Sequence, residues 1–413
     1  MLVFGGTQLR ADFQGSTHLM PFDEDTIAYS KTADSNVITR LQKQLGEGKA
    51  GLKFDAKYGY LPAVLDLLKI DPASQLLVFS KTSFQRERIS PATPRSLFFN
   101  DEVYIGYIPG SPLLEVSLAD PKLGGVFYTL AQTESAQPKF VRNDQCLECH
   151  VSAKSLGVPG HLLRSFDVDE QGVVDLNTGT SLVNHRTPFA ERWGGWYVTG
   201  DSGNQTHRGN LFGKAAQEKK AKDPAYRRNL ENLGEFFDTK LYYRGTSDLV
   251  ALMVLEHQVH MHNFITRINY EATIALQQYG HLNYLKNPVD AFLRYALFTE
   301  EVLLTDPLKP SSEFARSFGA IGLRDRKGRS LRDLDLHTRL FKYPLSFLIY
   351  SESFRAIQPK MKERLFERLH AILTGEDKSP DWAGLSPETR QALLEIVTET
   401  IPDLPAVWKA KSK

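Results

Sequence analysis

The spacing of apolar residues along the chain changes character twice. Residues 1–30 are polar and turn-rich, which predicts an arm laid over the surface. Over 34–45 apolar positions return at helical intervals, with Ser35 or Asn36 to cap the start and Gly46 to end it. A second helix is predicted over 60–69, with Pro62 in its first turn. From 75 to 142 the runs become short and β-rich, at 76–80, 96–99, 102–108, 114–118 and 125–130. Asn-Asp, Pro-Gly and Asp-Pro pairs split them, the pattern of an antiparallel meander. Residues 162–168 and 172–176 read as a hairpin turning at 169–171. Beyond Gly209 the pattern turns helical, over 226–237, 247–276 (the longest, with Ser247 as N-cap), 288–304, 345–357, 360–373 and 387–401. Residues 214–222 form a solvated charge run. The fold class expected is α+β, with a small antiparallel region first and a mostly helical C-terminal half. Three units follow, 1–140, 141–245 and 246–413.

Composition narrows the class of protein. The 413 residues are 41% hydrophobic and 24% charged, as in an ordinary globular chain. A net charge of +1 leaves no electrostatic footprint for nucleic acid or an anionic membrane. No apolar run is long enough to span a bilayer. The chain has only two cysteines, and both lie in Cys146-Leu147-Glu148-Cys149-His150. C-x-x-C-H is the attachment signature of haem c: two thiols three positions apart add across the vinyl groups of one haem, and the histidine becomes the proximal iron ligand. Two other chemistries share part of the pattern. A thioredoxin-type dithiol opens a helix after a buried strand, and no βαβ rhythm surrounds this one. A zinc site needs two more ligands, for which His257 and His262 stand more than a hundred residues away.

The unit 141–245 is therefore the expected haem-binding segment. Its stretch 184–200 gathers Arg186, Arg192, Trp193 and Trp196 around two glycines. Glycines admit a flat ligand to the backbone and arginines suit haem propionates, whereas a purely structural role would leave the tryptophans in the core and the arginines at the surface. On the long helix, Val250, Val254, His257, Met261, Phe264, Ile268, Ala272 and Ala275 fall on one face. His257 is the only polar member of that stripe, so it is the candidate distal ligand, with Met261 the alternative one turn on. His260 lies at the edge of the stripe and His262 points away from it. His161, His185 and His207 are nearer to the motif in sequence.

Cys146, Cys149 and His150 resemble the haem site of c-type cytochromes, and the rest of the chain resembles large exported monohaem cytochrome proteins of unassigned activity. That resemblance implies one covalent haem c, redox partner proteins and a periplasmic or otherwise exported location. The first residues lack the basic and apolar regions of a signal peptide, so a leader removed or lying outside this numbering is expected. The function expected is electron transfer. A peroxidase-like enzyme or small-ligand sensor with an open sixth position is the alternative, and a haem-stapled subunit of a larger redox assembly is the third.

Overall fold

The computed structural model describes residues 19–409. The first eighteen residues of the expected surface arm lie outside the described residues. From Leu19 on, the arm packs against the loop after Cys146–His150, where Met20 N donates to Gly157 O.

Helix α1 (Val37–Gly46) starts at Asn36, whose side chain accepts from Ile38 N and Thr39 N while Thr39 returns a bond to the Asn36 N–H. Helix α2 (Leu61–Leu67) follows with proline in its first turn. Six strands come next: β1 (Leu76–Val78), β2 (Arg95–Phe99), β3 (Val103–Tyr107), β4 (Leu113–Asp120), β5 (Gly124–Ala131) and β6 (Phe140–Arg142). They pair in sequence order, every pair antiparallel, as the expected meander. One face of this sheet packs on α1 and α2 through Ile105, Val116, Leu130 and their neighbours.

The Cys146–His150 motif leaves the end of β6 on a short helix, α3 (Leu147–His150). The hairpin forms from β7 (Arg164–Val168) and β8 (Val174–Leu182), and β8 runs six residues beyond its expected end. The charge run at 214–222 is a short helix, α4 (Lys214–Lys222). The helix expected over 226–237 does not form. Asn232 accepts from the nearby Gly234 N, which competes with a helical ladder, and Asn229 is drawn away to Gly203 O.

The helical half begins with α5 (Leu249–Tyr279) and continues through α6 (Lys286–Ala296), α7 (Phe314–Ala320), α8 (Glu352–Arg355), α9 (Pro359–Leu373) and α10 (Pro387–Thr400). Two expected helices come out shorter. α6 stops at Ala296, just before Phe298 takes a left-handed φ of 55°, and 345–357 holds only a 3-10 turn and α8. Asp248, not Ser247, caps α5; the Ser247 hydroxyl instead accepts from Leu77 N at the sheet edge.

The α5 helix is not a surface helix with one apolar stripe. Every residue from Leu249 to Tyr270 is buried, because the sheet lies on one side and α6, α7 and α8 on the other. Its polar residues Glu256, Gln258, His260, His262 and Asn263 are thus as deep as His257. One hydrophobic core runs through all three expected units, from Leu76 and Phe99 through Trp193 and Trp196 to α5 and the last helices. Among the described residues no helix is long and apolar enough to cross a membrane.

Candidate haem attachment site

The motif hangs from the edge of the sheet. Asn143 follows β6, and its side chain caps the 3-10 turn Asp144–Cys146, which runs straight into α3. The three-residue spacing on a helical turn puts Cys146 and Cys149 on one side. Both thiols are free, Cys146 half-buried and Cys149 exposed. Burial, reinforced by the Glu115 charge, pushes the Cys146 thiol up to about 11. That is the reverse of a redox-exchange dithiol, whose attacking thiol must ionise readily.

His150 is held at both its ring and its main chain. Its Nδ1 lies 2.8 Å from Gly160 O, so Nδ1 carries the proton and donates. Gly160 N returns a bond of 3.0 Å to His150 O. Among the described residues nothing hydrogen-bonds Nε2, which is left with its lone pair, and burial keeps the ring below its ordinary pKa. An imidazole with Nδ1–H on a carbonyl and Nε2 bare is the form that ligates a metal. Two thiols on one turn and this histidine fit a haem c.

Three rings stand together behind the ligand. Phe127 lies 4.6 Å from the His150 ring and 5.6 Å from His161, and the two histidine rings are 6.1 Å apart. Phe127 therefore fills the space that a porphyrin plane between these histidines would need. His161 belongs to the wall beside His150. Its Nε2 meets Ser117 Oγ at 3.1 Å, and Tyr104 packs on it at 4.6 Å. Asn263 of α5 clamps the His161 main chain: Oδ1 accepts from His161 N at 2.9 Å and Nδ2 donates to His161 O at 2.8 Å. One residue before, His262 Nδ1 meets the Tyr104 hydroxyl at 2.8 Å.

The other expected residues gather elsewhere. His257 uses both ring nitrogens, Nδ1 at 3.0 Å from His185 Nδ1 and Nε2 at 2.8 Å from Ser346 Oγ. Its ring stacks on Tyr295 and Phe298, and no ring contact joins it to His150. Met261 is buried in the main core. Arg192 gives Nε to Thr187 O at 2.8 Å, one NH₂ group to His185 O and the other to Glu256. Trp193 Nε1 donates to the second oxygen of Glu256 at 3.0 Å, and burial still raises that carboxyl to about 7. Arg186 pairs with Glu300 at 2.8 Å and lies over Tyr295. Trp196 Nε1 reaches Arg164 O at 3.0 Å. His207 Nε2 lies 3.1 Å from Arg228 O.

Cys146, Cys149 and His150 are thus brought together, while His257, Arg192 and Trp193 join a second, buried network through His185 and Glu256, Arg186 pairs with Glu300, and Met261 packs in the hydrophobic core. Gly160, Asn263 and Ser117 belong to the site without having been expected there. Among the described residues no three or more His, Cys, Asp or Glu side chains converge to hold a metal ion, so neither His257 nor His262 joins the thiols as a zinc ligand. No protein-family model, curated protein or solved structure matches this chain.

Proposed function

We propose that the protein carries one haem c on Cys146 and Cys149, with His150 as the proximal ligand, and acts as a periplasmic or otherwise exported electron-transfer protein. The observation that carries this reading is the orientation of His150: Nδ1 on Gly160 O, with no hydrogen bond to Nε2 among the described residues. The haem supplies one-electron chemistry, and the chain's part is to hold and tune it. The Gly160 carbonyl strengthens the imidazole as a donor and fixes its plane. The exposed position of Cys149 sets the attachment edge at the surface, within reach of a redox partner protein.

A second reading has support of its own. Both nitrogens of His257 are engaged by protein groups, and Phe127 would crowd a flat group held between His150 and His161. That favours an iron open on its distal side, as in a peroxidase-like enzyme or a small-ligand sensor.

The test begins with extraction in acid–acetone. Thioether-bound haem stays with the polypeptide, and haem released to the solvent defeats the assignment. Cys146→Ala and Cys149→Ala each weaken or prevent attachment. A spectrum of the ferrous protein with and without carbon monoxide then separates the two readings, since a carrier with two protein ligands resists carbon monoxide and an open site binds it.

A further inference from the structure

Several buried phenols of this protein donate to a main-chain carbonyl: Tyr29 to Gly125 O, Tyr197 to Pro91 O, Tyr242 to Pro94 O and Tyr270 to Leu123 O. A carbonyl accepts such a bond but does not take the proton. Tyr128 donates to the Asp34 carboxylate, on the face of the sheet that packs on α1 and α2. Tyr104 belongs to the core on the α5 side, and its partner is a neutral base. Its oxygen lies 2.8 Å from His262 Nδ1 and 3.1 Å from Gln258 Nε2. An amide nitrogen only donates, so Gln258 occupies a lone pair of the phenol oxygen and leaves the O–H to point at His262. Gln258 is itself fixed by a 2.7 Å bond to Asn100 O. His262 Nδ1 is therefore the acceptor.

The register of the sheet connects this phenol to the Cys146–His150 motif. Tyr104 of β3 stands opposite Ser117 of β4, and Ser117 stands opposite Phe127 of β5. His161 lies on that row, bonded to Ser117 and packed on both aromatic rings. From the His150 ring to the Tyr104 ring there are two steps, 6.1 Å and 4.6 Å between centroids. Burial raises Tyr104 well above the ordinary 10, so the phenol keeps its proton for as long as it keeps its electrons. A phenol that loses an electron becomes a strong acid, and in a dry core only a base in contact with it can take the proton.

We propose that Tyr104 is a redox-active tyrosine, a one-electron donor to an oxidant on the His150 side of this row, with His262 as its proton acceptor. One electron passes to a high-potential one-electron oxidant, a metal complex in a high oxidation state, which is reduced by one. The phenol O–H bond breaks and its proton bonds to His262 Nδ1, leaving a neutral phenoxyl radical beside an imidazolium. Return of the electron and the proton restores the pair. Burial holds His262 down to about 3, and the Asp101 main chain opposes it by favouring the protonated ring. This role goes beyond electron transfer at the motif and does not depend on the group that His150 holds.

The experiment uses the full-length protein, fully oxidised, as wild type, Tyr104→Phe and His262→Asn. Tyr104→Phe removes a hydroxyl and keeps the ring. Asparagine places near Nδ1 an oxygen that accepts a hydrogen bond but no proton. Each protein is photo-oxidised with ruthenium tris-bipyridine and an electron-accepting quencher, frozen, and examined by EPR. The exposed phenols Tyr279 and Tyr284 give all three the same background. Wild type is expected to show a further tyrosyl radical that is lost in Tyr104→Phe and whose yield falls in His262→Asn. Equal signals in wild type and Tyr104→Phe overturn the redox role. A wild-type yield retained in His262→Asn overturns His262 as the acceptor. A bond with a structural role alone would shift the denaturant midpoints of the variants and leave all three radical yields alike, which also overturns the proposal.

Discussion

At the scale of single residues, the Glu256 carboxylate shows how this protein handles a charge inside its core. It has no contact with water, and it is held by Arg192 on one oxygen and the Trp193 indole on the other. Arg192 also binds two backbone carbonyls, so it joins the loop 185–192 to α5. Removing one member of a buried pair leaves the other charge uncompensated, which costs about 3–5 kcal/mol. Arg192→Ala is therefore expected to lower stability by that amount in denaturant melts. The loss should be larger at pH 8 than at pH 6, because Glu256 escapes the penalty by holding its proton, and rising pH takes that escape away. The reduction potential should not follow. An arginine's preference for carboxylates is legible in the sequence, but which carboxylate it meets is not. Glu256 lies 64 residues from Arg192. The pattern of Cys146, Cys149 and His150, by contrast, is complete within five consecutive residues.

At the scale of elements, α5 connects the loop after the Cys146–His150 motif to the helical half. The 3.6-residue period placed it correctly, and the same period made His257 stand out. That contrast required one face to be dry and the other wet, and burial on all sides removes it. Periodicity reports a difference between faces; a helix buried all round has little to report. The contact of α5 with the motif runs instead through Asn263, whose amide clamps the main chain of His161 next to Gly160. A Cβ on Gly160 would stand 2.1 Å from Asn263 Oδ1, so this approach excludes any larger residue. A side chain bonded to backbone 102 residues away leaves no trace in local pattern. Asn263→Ala should strip two buried main-chain groups of their partner, costing about 1–3 kcal/mol. By loosening Gly160 it should also turn the His150 ring and move the haem spectrum and potential. His257→Ala should cost stability through Ser346 and His185 and leave the spectrum alone. Ferric and ferrous absorption spectra of the two variants check both. A low-spin spectrum turned high-spin by His257→Ala alone would restore that residue as the sixth ligand.

At the scale of the whole molecule, the core holds an unusual stock of titratable groups, and their opposed shifts set how stability depends on pH. His185, His207, His257 and His262 are all buried and driven below their ordinary value of 6.5, first by desolvation; His207 and His262 fall to about 3. The unfolded chain protonates these rings as pH drops through 6.5 while the fold keeps them neutral. Each then withdraws up to about 1.4 kcal/mol per pH unit until its folded value is reached. Glu102 and Glu256 act with the other sign. Desolvation raises them from 4.5, to about 8 and about 7. The fold holds their protons where the unfolded chain has released them, so stability falls as pH climbs from 4.5 through those values. His150 and His161 are lowered in the same way and Asp248 and Glu301 raised, so between pH 6.5 and 4.5 six imidazoles outnumber four carboxyls, and acid destabilises. Above 6.5 the imidazoles contribute nothing further, and the ionisation of Glu256 and then Glu102 takes over. The stability of the folded protein should therefore peak near pH 6.5, with a steep acid limb and a shallower alkaline one that levels off past pH 8. Urea midpoints measured at half-unit steps from pH 4.5 to 9 would test this. Replacing Glu102 with Gln should flatten the alkaline limb and leave the acid limb in place, whereas a profile that rises steadily to pH 9 would mean that these carboxyls are ionised and paired in the fold at no cost.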